Sequence, residues 1–227
     1  MTSWPDDPEA LATEQRRLAG VAERPWEPAA DPVIGGCWVC FPRGETGPGA
    51  AGDPAWAAAV TVRRGRVVDR VVVTGSAGAP YLPGLMALRA GPLLEEAVRG
   101  LAQAPDVLLL DATGRDHPRR AGLARHLGAV LDLPTVGVTH RPLQATGDWP
   151  ADPRGATSAL TIGADVVGCW LRTRPGTRPL AVHPGWRTDV DVAVDVVLRT
   201  TGQQRTPQPL RRARELARRA RAQRPSR

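Results

Sequence analysis

Lysine and asparagine are absent from this 227-residue chain, isoleucine occurs twice, and tyrosine and phenylalanine once each. All 30 basic residues are therefore arginine. Alongside abundant alanine, glycine, proline and valine, this is the bias of a GC-rich genome, so arginine content alone says little and only its placement is informative. Cysteine is scarce. Three thiols cannot all pair, and without an export signal they read as reduced thiols of a cytoplasmic protein. No apolar run reaches the length that a bilayer demands, so no transmembrane helix and no membrane partner are expected. The opening MTSWPDDPEALATEQRRLAG is acidic and lacks the apolar stretch of a secretory signal. No internal repeat is present, and nothing in the chain speaks to its oligomeric state.

The length suits one α/β domain with a buried core. Charge is distributed unevenly. Arg205 to Arg227 carries nine arginines and one acid, Glu215, for a net of +8, whereas the other 204 residues carry 21 arginines and 22 acids. The chain is accordingly divided into a main domain, 1–204, and an arginine-rich C-terminal helix or tail, 205–227. An arginine face of this kind attracts phosphate backbones; a solvated helix with a frayed end is the alternative.

Asp7-Pro8 reads as the N-cap and first residue of a helix running to about Glu23. Strands are predicted at Val33–Phe41, Ala57–Val62 and Val67–Val73, the last two joined by the hairpin signal RRGR. Leu93, Leu94, Ala97, Val98 and Leu101 have helical spacing. VLLLD (107–111) suits a strand buried on both faces, HPRRAGLARHLGAVLD a helix, and PTVGV a second buried strand. That βαβ unit makes part of the sheet parallel. A hairpin over 159–172, a strand at 180–184 and a helix over Asp189–Leu198 complete a mixed sheet flanked by helices.

Two segments carry chemistry. In PYLPG (80–84) two prolines stiffen an extended turn, so Tyr81 and Leu82 could wedge between stacked bases; a tyrosine packed on the core is the alternative. In LDATGRDHPRRAG (110–122), Asp111 ends a parallel strand, where open α/β sheets place their ligands. His117-Pro118-Arg119-Arg120 is expected to open the next helix. Arginines there oppose the helix dipole, a cost that an anion such as phosphate at that end would offset; two arginines pointing to solvent are the alternative. The pair CWVC (37–40) is expected to be structural, because residues three apart in a strand point to opposite faces and cannot grip one metal.

PYLPG, then LLLD-x-x-G-x-x-HPRR-x-G, then LDLPTVGVTHRPL, closely resemble the endonuclease V family across most of the chain. The resemblance implies an RNase H-like fold and Mg²⁺-dependent hydrolysis of a phosphodiester near hypoxanthine in DNA or RNA, with the Pro-Tyr-aliphatic-Pro loop as wedge. It assigns nucleic-acid binding to Pro80, Tyr81, Leu82, Pro83, Gly114, His117, Arg119 and Arg120, metal binding to Asp111, and catalysis to Asp111 and His140. Several positions depart from the family pattern. Trp38 stands where the resemblance places a first metal-binding aspartate, and Ala90 where it places a glutamate. His140 replaces a lysine and Trp186 a late histidine. One carboxylate is a poor Mg²⁺ site. The nearby acids Asp116, Glu95, Asp189 and Asp191 are possible replacements, Asp116 foremost. The expected activity is therefore nucleic-acid binding without efficient cleavage. An active Mg²⁺ nuclease with a rebuilt site, and a scaffold with a closed groove, are the alternatives.

Overall fold

The computed structural model describes residues 4–43 and 49–223. Arg224 and Arg227 of the basic segment lie outside them. The elements in chain order are α1 (Pro8–Ala19), β1 (Ile34–Cys40), β2 (Pro54–Arg63), β3 (Arg66–Ser76), α2 (Met86–Arg99), β4 (Val107–Leu110), α3 (Leu123–Leu131), β5 (Thr135–Thr139), β6 (Thr157–Ile162), β7 (Asp165–Leu171), β8 (Leu180–Pro184), α4 (Val190–Thr201) and α5 (Gln208–Ala222). All strands join one eight-stranded sheet in the order β3-β2-β1-β4-β5-β8-β7-β6. β1, β4 and β5 run parallel, and the flanking pairs are antiparallel. This is the single-domain mixed α/β sheet that the pattern predicts.

Local chemistry explains most boundaries. Asp7 caps α1 by accepting from the Glu9 and Ala10 N–H groups, with Pro8 at the first turn. The helix closes at Gly20 rather than Glu23. Beyond it the Arg125 guanidinium draws in the Leu18 and Val21 carbonyls, which holds the chain out of helix. In the β2–β3 hairpin Arg63 pairs with Arg66. Arg64 and Gly65 between them take φ of 50° and 73°, the primed two-residue turn whose twist suits the strands. α2 begins at Met86 and accommodates Pro92 in its interior. Proline leaves the Leu88 carbonyl without a helical donor. Gly78 packs on that oxygen, where a Cβ would lie only 2.2 Å away.

The sheet separates two helical layers. Leu108 and Leu110 of β4, with Cys37 of β1, face α1, α2 and α3. Leu109 and Val107 face α4 and Leu210 of α5. Cys37 and Cys40 fall in different clusters on opposite faces, both buried as free thiols. Burial pushes the Cys37 thiol up to about 12, so it is inert at neutral pH.

One predicted boundary is wrong. HPRR does not open a helix, because α3 starts only at Leu123, with Gly122 as its cap residue. Pro118 has no N–H to give, and Arg120 takes φ of 57°, which breaks a helical turn at that point. The Thr113 and Gly114 carbonyls instead receive the Ala124 and Gly122 N–H groups. The argument for an anion at a helix terminus carrying those arginines therefore does not apply.

The basic segment packs as an element of the sheet. Leu210, Ala213 and Ala217 are buried along one side of α5, Ala213 and Ala217 against Val60, Val62, Trp56 and Ala58 of β2 and Leu210 against Ile34 and Leu109. Small residues permit the approach: a Cβ on Gly36 would lie 2.6 Å from the Pro209 backbone carbon. We expect Gly36→Ala to cost about 1–3 kcal/mol by forcing α5 from the sheet. Urea unfolding checks this, and an unchanged midpoint would show that α5 docks more loosely.

Candidate nucleic-acid interface

Asp111 follows the last residue of β4, where burial on both faces ends. It lines two adjoining cavities. One, of about 150 Å³, lies beneath the proline-flanked turn and is walled by Tyr81, Pro83, Thr113, His117, Thr139 and Leu143 among others. The second, about 100 Å³, is walled by Trp38, Phe41, Met86, Leu94 and Leu123, with Asp111 at its edge. Asp111 keeps contact with solvent, but the apolar walls thin its hydration and push its carboxyl up to about 6, while the Arg214 charge pulls the other way.

The turn itself is presented outward. Tyr81 is 47% and Leu82 48% exposed, and Pro80 and Pro83 are exposed beside them. A buried tyrosine over a closed groove is thereby excluded. What fixes the turn is a single carbonyl, that of Gly84, whose φ is 79°. It accepts from Arg119 Nη2 at 2.9 Å, His117 Nε2 at 3.2 Å and Gln15 Nε2 at 3.4 Å. Arg119 Nε also donates to Gln15 Oε1 at 2.6 Å. His117 is buried, and its Nδ1 accepts from the Arg119 N–H at 3.2 Å. His117 and Arg119 thus clamp the base of the wedge. Arg120 turns away, donating to the Ile162 carbonyl and pairing with Asp165 at 3.3 Å. Gly114 is buried where any side chain would strike the Pro184 carbonyl, at 1.9 Å from a Cβ. It shapes the loop and lines neither cavity.

The replacement acids are engaged elsewhere. Asp116 is fully buried and accepts from the Leu143, Gln144 and Ala145 N–H groups at 2.6–2.8 Å, pinning the far wall of the first cavity. Glu95 holds Trp4 and Arg99, and Asp189 caps α4. Asp191 sits in the first turn of that helix. Among the described residues no three His, Cys, Asp or Glu side chains come together as a metal site. Ala90 is buried, one helical turn beyond Met86 on the same side of α2. With one carboxylate, a tryptophan on β1 and an arginine charge close by, the residues present do not fit Mg²⁺.

Trp186 is not part of the site. It follows β8 and packs against Gly128 of α3, with Arg125 5.6 Å from its ring. Its backbone N–H donates to Thr135 Oγ1 at the opposite end of β5 from Asp111. Trp186 therefore does not pack over Asp111. His140 is exposed just beyond β5 and accepts from Arg205 at 2.9 Å through Nδ1. Loss of hydration and the charges of Arg205, Arg214 and Arg178 lower its basicity. The residue that the sequence reading missed is Arg214, on α5, whose guanidinium lies 5.6 Å from the Trp38 ring centroid. The signal was present in the spacing of Leu210, Ala213 and Ala217, which marks a packed amphipathic helix rather than a tail.

The family model for Endonuclease V matches residues 22–215, ending inside α5. Endonuclease V of Streptomyces avermitilis is 36% identical over 221 residues, covering 96% of this chain and 93% of the relative. The crystal structure of Endonuclease V from Streptomyces avermitilis superposes with a TM-score of 0.87 at 35% identity, covering 98% of this chain and 96% of that one. A Ciona intestinalis Endonuclease V in complex with a 24mer DNA containing an inosine followed by a ribo-adenosine shares the fold, with a TM-score of 0.77 at 19% identity and coverage of 94% and 97%. The fold is RNase H-like.

The clamp predicts an acid sensitivity. Burial lowers the His117 imidazole from 6.5 to about 4, against the pull of the Gly84 carbonyl. The unfolded ring takes up its proton at higher pH than the folded one. Its contribution is therefore complete above about 6.5 and lost as pH falls toward 4, amounting to at most about 3 kcal/mol. We expect the urea midpoint to drop over this window and His117→Gln, which keeps a donor and an acceptor, to flatten the drop. An equally steep fall in the variant would assign the sensitivity to His183, which burial also lowers to about 4.

Proposed function

Because the chain belongs to the endonuclease V family, we propose that it binds DNA or RNA at a deaminated, hypoxanthine-type purine and has lost efficient cleavage. The observation that carries this reading is the pairing of an intact wedge with an incomplete carboxylate set. Tyr81 and Leu82 project from a turn held by His117, Arg119 and Gln15, beside a cavity of about 150 Å³. An exposed aromatic on a rigid turn suits insertion between bases, and the cavity beneath it suits an extruded base. Asp111, by contrast, belongs among the described residues to no group of three His, Cys, Asp or Glu side chains that could hold a metal. Arg119 acts in this reading by holding the base of the wedge, Gly114 by shaping the loop and Arg120 by tethering it to the β6–β7 hairpin, and His140 lies at the edge where the strand would leave. The three buried free thiols are in keeping with a reducing, cytoplasmic setting.

The test is a labelled strand carrying one hypoxanthine beside a matched strand without it, with binding and cleavage followed together in Mg²⁺ and in chelator. We expect tighter binding of the hypoxanthine strand without cutting. Tyr81→Ala should weaken it by about 1–3 kcal/mol, the usual worth of one stacked base. Cleavage that requires both Mg²⁺ and Asp111, and vanishes in Asp111→Ala, would overturn the inactive reading and establish a Mg²⁺-dependent endonuclease.

A further inference from the structure

The basic segment forms a connected array. Arg211, Arg214, Arg218 and Arg221 recur along α5 at three- and four-residue spacing, so they follow one flank of its buried stripe. Arg214 is half-buried with its Cζ 5.6 Å from the Trp38 ring centroid, yet among the described residues it donates to no hydrogen-bond acceptor and closes no ion pair. Its charge reaches both Asp111 and His140. On one side of it Arg205 is fixed by the Arg178 and Pro179 carbonyls and by His140. On the other, Arg218 lies among Arg214, Arg43 and Arg221 and is made less basic by desolvation and then by these like charges. The acid of this helix, Glu215, pairs with Arg212. Among the described residues these arginines crowd one another, with Asp111 as the acid that the Arg214 charge reaches, and an anion placed among them would relieve the like-charge repulsion.

We propose that Arg214, oriented by Trp38, stands in the place of a metal ion beside Asp111 and anchors a phosphodiester of the nucleic-acid backbone, with Arg218, Arg221 and Arg205 continuing the track. The inference rests on the nucleic-acid-binding reading above and adds the device by which a strand is held without a divalent cation. The geometry suits the chemistry. With its Cζ 5.6 Å from the Trp38 ring centroid, the Arg214 guanidinium meets the indole by a cation–π contact, and a guanidinium edge matches two phosphate oxygens at once. A tryptophan at the β1 position then has a purpose, since an aspartate there would pull Arg214 into an ion pair and occupy the same edge. The cation is also permanent: arginine stays charged at every physiological pH, and chelators do not remove it.

Two consequences are measurable. Affinity should be unchanged between Mg²⁺ and chelator, and removal of each anchoring arginine should lower the salt-dependence slope for a single strand by about 0.7. The wild-type chain, Arg214→Gln, Arg218→Gln, Trp38→Ala and the control Arg70→Gln on β3 would be titrated against the hypoxanthine and unmodified strands across a salt series. Folding of each variant would be verified by its urea midpoint. We expect Arg214→Gln to weaken both strands several-fold with the reduced slope, Trp38→Ala to weaken them in parallel, and Arg70→Gln to match wild type. Wild-type affinity and slope in Arg214→Gln, or binding that disappears in chelator, would overturn the anchor. Equal affinity for the two strands, with loss in Arg214→Gln, would overturn the deaminated-base reading and support the anchor. Absence of wild-type binding to either strand would overturn both.

Discussion

Every group at the site is placed relative to β4, and β4 is placed by burial on both faces. Leu108 and Leu110 face one helical layer and Leu109 faces the other, each essentially without solvent contact. Fully burying such side chains is worth about 1.5–3 kcal/mol each, so the strand has no freedom to shift register. Where that double burial stops, Asp111 emerges. The parallel neighbours β1 and β5 deliver Trp38 and His140 to the same edge. The two cavities are the space left where the strands diverge and the helices above and below do not close over their ends.

Against that fixed edge, the loops divide their work differently from what their residue types suggest. A histidine followed by two arginines looks like a phosphate site. In the folded chain the histidine and one arginine serve a carbonyl at the base of the wedge, and the other arginine ties down the β6–β7 hairpin. Among the described residues Arg214 of α5, whose charge reaches Asp111, closes no hydrogen bond and no ion pair. The Arg214 charge opposes the desolvation that pushes the Asp111 carboxyl up to about 6, so cation and carboxylate act on each other at this edge.

The fold was highly legible in the chain, and the reasons are local. Asp7-Pro8, the RRGR turn and the uninterrupted VLLL each have one strongly favoured structure, and each appears where expected. The Cys37 and Cys40 faces followed from strand alternation alone. The helix over HPRR failed because helical periodicity carried more weight in the reading than a proline and a residue with positive φ. Within the candidate site, Asp111 and the exposed Tyr81–Leu82 tip were readable as a strand end and a stiffened turn. Trp186 was misplaced because motif order along the chain does not say which end of a strand a residue reaches.

What the sequence determined by itself is the chemistry available: one carboxylate at the end of a doubly buried strand, a tryptophan at 38 and an alanine at 90, and a block of arginines without lysine. Those are facts of composition and local pattern, and no folding changes them. What only the tertiary structure decided is which charges meet. Asp116 was removed from the site by three backbone N–H groups, and Arg214 was brought into it from more than a hundred residues away. The physical reason is the close seat of α5 on Gly36 and the alanines of β2. That contact depends on side-chain size in two distant segments and is invisible to any local period.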